Sequence, residues 1–287
     1  MPTLKSTRII LPVLLFLLIA SGCGSDDGPT PLQGEFLALT YNVAGLPGFL
    51  SGSDPEKNTP LMSPLLNGYD LVLVQEDFWY HDDLIARVDH PFQSDPMWDR
   101  PTLFRMGDGL NRFSIFPLGE LTRTGWAECS GLFNCSFDCL TTKGFSLSEV
   151  HPAEGVAVDL YNLHLDAGSC DGDFDAREVQ VEQLLQELTA RAGEKALIIA
   201  GDTNLKPHRP EDMVLFERLL AEGDLQDACR FLDCGIEIHD RFLFRSSDSL
   251  SLVPLSWEHP GEFVDDQGED LSDHKPVALR FQWESVR

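Results

Sequence analysis

Apolar runs of strand length recur along this chain, and five of them carry chemically capable residues at one end. The runs are FLALTY (36–41), LVLVQ (71–75), FSIF (113–116), VAVDLYNL (156–163), ALIIA (196–200), FLF (242–244) and PVALRF (276–281). Near-continuous apolar stretches of this length read as buried strands. Asn42 follows the first run, Gln75 and Glu76 close the second, and His164 with Asp166 follows the fourth. Asp202 with Asn204 follows the fifth, and Asp273-His274 opens the last. Strands of an α/β domain bring such ends to one rim, where sites are commonly built. Helices fit between the strands. Residues 174–191 place Val179, Leu184, Leu185 and Leu188 along one side, 213–220 follow Pro210, and 59–66 and 82–88 allow a turn or two. Strands and helices alternate without a linker after residue 35, which predicts one α/β domain over 35–287.

Singly, each polar end has an ordinary reading. Asn42 is a turn former, His164 between two leucines is a core histidine, and Asp202 and Asn204 in IIAGDTN (198–204) make an Asx turn. As an ordered series the stretches say more: LTYN (39–42), LVQE (73–76), NLHLDAG (162–168), AGDTN (200–204) and LSDHKPV (271–277). Together they resemble the endonuclease/exonuclease/phosphatase superfamily, the DNase I-like metal-dependent phosphoesterases, over roughly residues 35 to 283. The resemblance implies a four-layered α-β-β-α sandwich with two central mixed sheets.

It also implies roles. Glu76 is the principal Mg²⁺ ligand, with Mn²⁺ as a substitute, Asn42 beside it and Asp273 near the metal; a hard cation of this kind takes oxygen ligands. His274 acts as base or binds the scissile phosphate, and Asp240 in HDRFLF (239–244) orients it. Asp202 aligns or deprotonates the attacking water, and Asn204 holds a phosphate oxygen. His164 protonates the leaving oxygen or stabilises the charged transition state, with Asp166 as support. Gly201 keeps the approach to metal and phosphate open. In DGLNRFSIFPL (108–118), Asn111 or Arg112 faces the substrate. One departure stands out: Ile238-His239-Asp240-Arg241-Phe242 replaces the family's Ile-Asp-Tyr-Ile type of run, which puts the Asp240 role in question. The implied reaction is in-line attack of water on a phosphodiester without a covalent intermediate.

The N-terminus reads separately. Lys5 and Arg8 precede the apolar run Ile9–Ile19, and Ala20-Ser21-Gly22-Cys23 follows. This describes a secretory signal over 1–22, too short to span a bilayer, and resembles a bacterial lipobox with Cys23 lipidated. Residues 23–34 make a Gly/Pro-rich tether. The expectation is an exported, membrane-anchored bacterial lipoprotein, periplasmic or at the cell surface, and monomeric. Without Cys23 six cysteines remain, an even number that suits disulfides in an exported protein. Cys229 and Cys234 close one short loop; Cys129, Cys135 and Cys139 tie a second loop together and to Cys170. A zinc cluster is the rival reading of those spacings.

Composition narrows the substrate. With 47 acidic against 21 basic residues the net charge is −26, so polyanions gain nothing from net charge. A sphingomyelinase C-like or phospholipid phosphodiesterase is the leading reading, with Trp257 in SLSLVPLSWEHPGEF (249–263) either contacting lipid or packed in a surface loop. An extracellular nuclease and an inositol-phosphate phosphatase are the alternatives. A non-catalytic binding lipoprotein would be marked by loss of Glu76, His164 or His274, and all three are present.

Overall fold

Side-chain alternation in the strands decides the architecture. A computed structural model gives the fold and describes residues 31–98, 106–131, 138–191, 195–235 and 238–286; the leader, Cys23 and Cys135 lie outside the described residues. In chain order the strands are β1 (Gln33–Asn42), β2 (Leu71–Gln75), β3 (Phe92–Gln93), β4 (Asn111–Ser114), β5 (Thr122–Gly125), β6 (Gly144–Ala153), β7 (Val156–His164), β8 (Leu197–Asp202), β9 (Gln226–Asp227), β10 (Asp240–Arg245), β11 (Leu250–Glu258) and β12 (Val277–Ser285). The helices are α1 (Pro55–Leu65), α2 (His81–Ile85), α3 (Asp171–Ala190), α4 (Pro210–Gly223) and α5 (Ala228–Phe231).

Two six-stranded mixed sheets form, ordered β11-β12-β1-β2-β4-β3 and β5-β6-β7-β8-β10-β9. Successive side chains along a strand point to opposite faces. Phe36 and Ala38, Leu71 and Leu73, Val158 and Leu160, Ile198 and Ala200, and Phe242 and Phe244 therefore share one core with Leu279 and Phe281. The opposite parity of the second sheet, Tyr161, Leu163, Leu197 and Ile199, packs with α3 and α4. Leu39, Tyr41, Val72 and Val74 of the first sheet pack outward with α1. Helix, sheet, sheet and helix follow in that order, as the family resemblance implied.

Two local expectations fail for identifiable reasons. On α3 the buried stripe is Val181, Leu184, Leu185 and Leu188, the i, i+3, i+4, i+7 set, whereas Val179 falls off it and is exposed. Residues 250–258 are not a surface loop but β11, which tolerates Pro254 because it is an edge strand with a register shift between Pro254 and Ser256. Trp257 is half-buried against the inter-sheet core, with its ring 4.7 Å from that of His259.

Cys129–Cys139 and Cys229–Cys234 are disulfides, and Cys170 is disulfide-bonded too. These five cysteines are therefore not zinc ligands.

Candidate active site

The same alternation that buries Ile198 and Ala200 also points Asp202 into the gap between the sheets. In β7, the parity of Val158 and Leu160 continues through Asn162 to His164; in β10, that of Phe244 and Phe242 continues to Asp240. In β1, that of Phe36 and Ala38 continues to Asn42. His164 pairs with Asp202 across β7–β8, and Asp202 with Asp240 across β8–β10, so the three occupy one cross-strand row. Beneath them the inter-sheet gap turns from apolar to polar. Gln75 Nε2 donates to Thr40 Oγ1 at 3.0 Å and to Asn162 Oδ1 at 2.8 Å, joining the two sheets under the site. In this buried amide network every amide nitrogen finds an acceptor, while Gln75 Oε1 is left without a partner among the described residues.

Glu76 departs from the alternation. One residue beyond Gln75, a regular strand would send it to the helix-covered face. Its backbone is instead left-handed, at φ 57°, a conformation that non-glycine residues adopt at a cost and that concentrates at functional positions. Its carbonyl accepts from Gly45 N at 3.0 Å and Phe78 N at 2.9 Å, which fixes the kink. Asn42 Nδ2 then donates to Glu76 Oε1 at 3.1 Å and to Asp202 Oδ2 at 3.3 Å, linking carboxylates from the two sheets. Ser272 Oγ donates to the carbonyl of Asn42 at 2.7 Å and accepts from His274 N at 3.1 Å, so the loop before β12 is pinned to the same strand end.

Around Asp202 the charges are sharply arranged. His164 Nε2 lies 3.2 Å and His274 Nε2 3.8 Å from its Oδ2. Burial opposes ionisation of Asp202, but His164 and His274 outweigh it and hold the carboxyl well below its usual range. His274 donates from Nδ1 to both oxygens of Asp240, at 3.1 and 3.0 Å. Burial works against charging His274 as well; Asp240 and Asp202 reverse this and push it up to about 10. The departure at Arg241 does not disturb Asp240. Alternation turns Arg241 to the other face, where it pairs with Asp227 at 2.9 Å and lies 4.0 Å over the Phe216 ring.

Other expected residues take different places. Asn204 is buried; its N donates to Asp202 Oδ1 at 2.9 Å and its Nδ2 to the Leu165 carbonyl at 3.0 Å. The Asx turn is formed, and the Asn204 amide is engaged with the Leu165 carbonyl. Asp166 is fully buried and accepts from Ser130 N at 2.7 Å, supporting the loop around the Cys129–Cys139 disulfide. Gly201 is required, but not by access to the site: at φ 141°, a Cβ would stand 2.0 Å from the Leu163 carbonyl in the neighbouring strand.

One assignment is corrected. Asn111 is buried, with Nδ2 donating to Asp77 at 2.7 Å and Oδ1 accepting from Arg123 at 2.8 Å, so its amide is committed to the protein rather than to a substrate. Arg112 is buried between the sheets, donating to Ser148 Oγ and the Leu160 carbonyl. Asp273 is exposed, beside Ser272 and against Gly52.

His239 and Lys143 were missed as functional residues. His239 stands with its ring 5.3 Å from that of His274, and burial keeps its pKa below the ordinary value. Its adjacency to Asp240 in sequence was the available signal. Lys143 gave none: it is buried, 2.5 Å from Asp138, and although burial opposes its charge, Asp138 and Glu76 raise its pKa. A metal ion fits this rim. Glu76 offers a partly exposed carboxylate aimed beside Asp202, and oxygen donors of this kind suit a hard cation. Asn42 turns its amide nitrogen toward Glu76 because Oδ1 accepts from Ala44 N at 3.0 Å. Asp202, His239 and His274 place three further donor atoms within 4.8 Å of one another.

No family profile matches the chain. Over 282 aligned residues it is 33% identical to sphingomyelinases of Mycobacterium bovis and Mycobacterium tuberculosis. That alignment takes in 89% of this chain and 55% of theirs, so the chain spans about half the length of the curated relatives it matches. Among solved structures, sphingomyelinase C from Streptomyces griseocarneus superposes with a TM-score of 0.60 at 20% identity, covering 88% of this chain and 100% of the other. A magnesium-bound beta toxin variant from Staphylococcus aureus gives 0.61 at 17% identity over 86% and 99%. D. rerio TDP2 with a single-strand DNA product gives 0.64 at 17% identity over 86% and 98%. Two facing mixed sheets, a row of acid and histidine side chains at their shared rim, and these likenesses together give the chain the DNase I-like fold, and in sequence it is similar to mycobacterial sphingomyelinases.

Proposed function

We propose that the protein is a Mg²⁺-dependent phosphodiesterase of the sphingomyelinase C type, hydrolysing a choline phospholipid by in-line attack of water. The observation that carries this reading is the placement of Asp202: between His164 and His274, with Asp240 on the far nitrogen of His274 and Asn42 joining Asp202 to Glu76. Glu76 would hold the ion, which would supply positive charge at the phosphate. Asp202, ionised and buried, accepts a hydrogen bond from the attacking water. His274 is kept cationic by Asp240 and Asp202, which suits it to bind a phosphate oxygen or donate a proton more than to remove one. His164 stands on the opposite side of Asp202 and faces the leaving oxygen. The similarity to mycobacterial sphingomyelinases supports the choline phospholipid over nucleic acid or inositol phosphate, and so does the net charge of −26.

The leader belongs to the same proposal: export, lipidation at Cys23 and a monomer tethered by residues 23–34 would hold the site at a membrane.

A side-by-side assay of sphingomyelin, phosphatidylcholine, plasmid DNA and inositol phosphates, with Mg²⁺ and with chelator, tests the reading. Sphingomyelin should be cleaved fastest, and only with metal. Faster cleavage of DNA, or cleavage that survives chelation, would overturn it.

A further inference from the structure

Phe49 is the most exposed large apolar side chain among the described residues, at 77%, and it stands at the mouth of the catalytic rim. It follows Gly48 in GLPGFLSG (45–52), with Leu50 at 41% and, across the same junction, Trp79 at 38% exposure. The other highly exposed apolar residues lie on other elements, as Val214 does on α4.

The loop is not loosely hung. Gly45 N donates to the Glu76 carbonyl at 3.0 Å, and Trp79 N donates to the Gly45 carbonyl at 3.1 Å. Leu50 N and Ser51 N both donate to the Pro47 carbonyl, at 2.7 and 3.0 Å, and Ser51 Oγ to the Ala44 carbonyl at 3.1 Å. A Cβ at residue 45 would come within 2.5 Å of the Glu76 carbonyl, so glycine there permits the close approach. Phe49 is thus presented on a fixed turn, four residues along from the contact of Gly45 with the backbone of Glu76 itself. Beside the loop, a cavity of ≈ 140 Å³ is lined by Leu46, Leu50, Phe78, Met106 and Leu140 together with Glu76, Asp138, Thr141 and Lys143. Leu50, next to the exposed tip, thus lines the same cavity as the candidate metal-binding carboxylate.

We propose that residues 45–51, with Trp79, form a lipid-docking surface in which Phe49 inserts into a zwitterionic bilayer and seats the rim on it. The inference rests on the phosphodiesterase reading above and adds how that site meets its substrate. Charge selects the occupant. At −26 the protein is repelled by an anionic membrane and by a second copy of itself, whereas a phosphocholine surface carries no net charge. A soluble substrate has no use for an exposed phenyl ring at the mouth; a lipid lying in a bilayer does. Trp257, which the sequence left open as a lipid contact or a packed side chain, packs against the inter-sheet core.

The experiment uses the full chain and two variants. In Phe49→Trp, the introduced indole should be quenched by phosphatidylcholine–sphingomyelin vesicles carrying brominated chains, and less by phosphatidylglycerol vesicles at low salt. Phe49→Ser should lower the hydrolysis of sphingomyelin in vesicles by about tenfold to a hundredfold, the loss expected when one buried phenyl ring is removed from an interface. Hydrolysis of bis-p-nitrophenyl phosphate should stay within about twofold, with an unchanged melting temperature. An unquenched indole overturns the proposal, as does an equal loss on both substrates. Dimers in the lipid-free wild type that Phe49→Ser abolishes would make a second copy the occupant, which also overturns it. If the wild type cleaves no sphingomyelin, the substrate reading fails, and the quenching result still decides the docking surface.

Discussion

Asp202 and Asp240 face each other across the β8–β10 ladder, and both carboxylates turn to a single imidazole, that of His274, at 3.8 and 3.0 Å. Two acids on one histidine fix its orientation and its charge. They also divide the work, since Asp240 holds Nδ1 while Asp202 remains beside Nε2.

Asp240→Asn should therefore lower the turnover rate by about a hundredfold or more while the protein still folds, because the orienting partner loses its charge. The alkaline limb of the rate profile should move to lower pH, since Asp240 is a main cause of the raised His274 pKa. An unmoved limb in the variant would show that His274 does not set it.

The same imidazole links pH to stability. Its folded value of about 10 lies above its ordinary 6.5, so its stabilising contribution is complete below about pH 6.5 and is lost as pH rises toward 10. Metal-free protein should melt at falling temperatures between pH 7 and 10, and His274→Ala should flatten that slope. Asp202 has the opposite sign: its depressed pKa contributes stability above 3.8 that is lost as pH falls further. Calorimetric melts across pH measure both.

Glu76→Gln keeps the size of the side chain and removes its charge. Mg²⁺ should then no longer stimulate hydrolysis at concentrations that saturate the wild type, and titration calorimetry should show affinity reduced by about tenfold or more. Asp273→Asn, at an exposed residue, should leave metal affinity unchanged.

Gly201→Ala should cost about 2–4 kcal/mol of stability, because the added carbon meets the Leu163 carbonyl and the backbone is left-handed. Chemical denaturation reads this directly. A neutral result would mean that β7 and β8 can separate at that row.

Cys23→Ser should shift the protein from the membrane fraction to the soluble fraction of cells that express it. Retention in the membrane would contradict lipidation at Cys23.

The sequence by itself determined which residues face the gap between the sheets. Alternation is a local rule, so the parity of Ile198 and Ala200 already places Asp202, and that of Val158 and Leu160 already places His164. The order of the polar strand ends was enough to indicate the DNase I-like fold, and the likenesses to solved structures agree with it. Only the tertiary structure decided what depends on a broken rule or on a distant partner. Glu76 reaches the rim because its backbone leaves the strand geometry, and Trp257 is covered because an edge strand tolerates Pro254. Asn111 is withdrawn because Asp77 and Arg123 claim its amide. Lys143 stands near the carboxylates of both sheets through the fold around Asp138, and no local pattern records that placement. Periodicity fixes the face a side chain takes; its neighbours on that face come from residues far away in the chain.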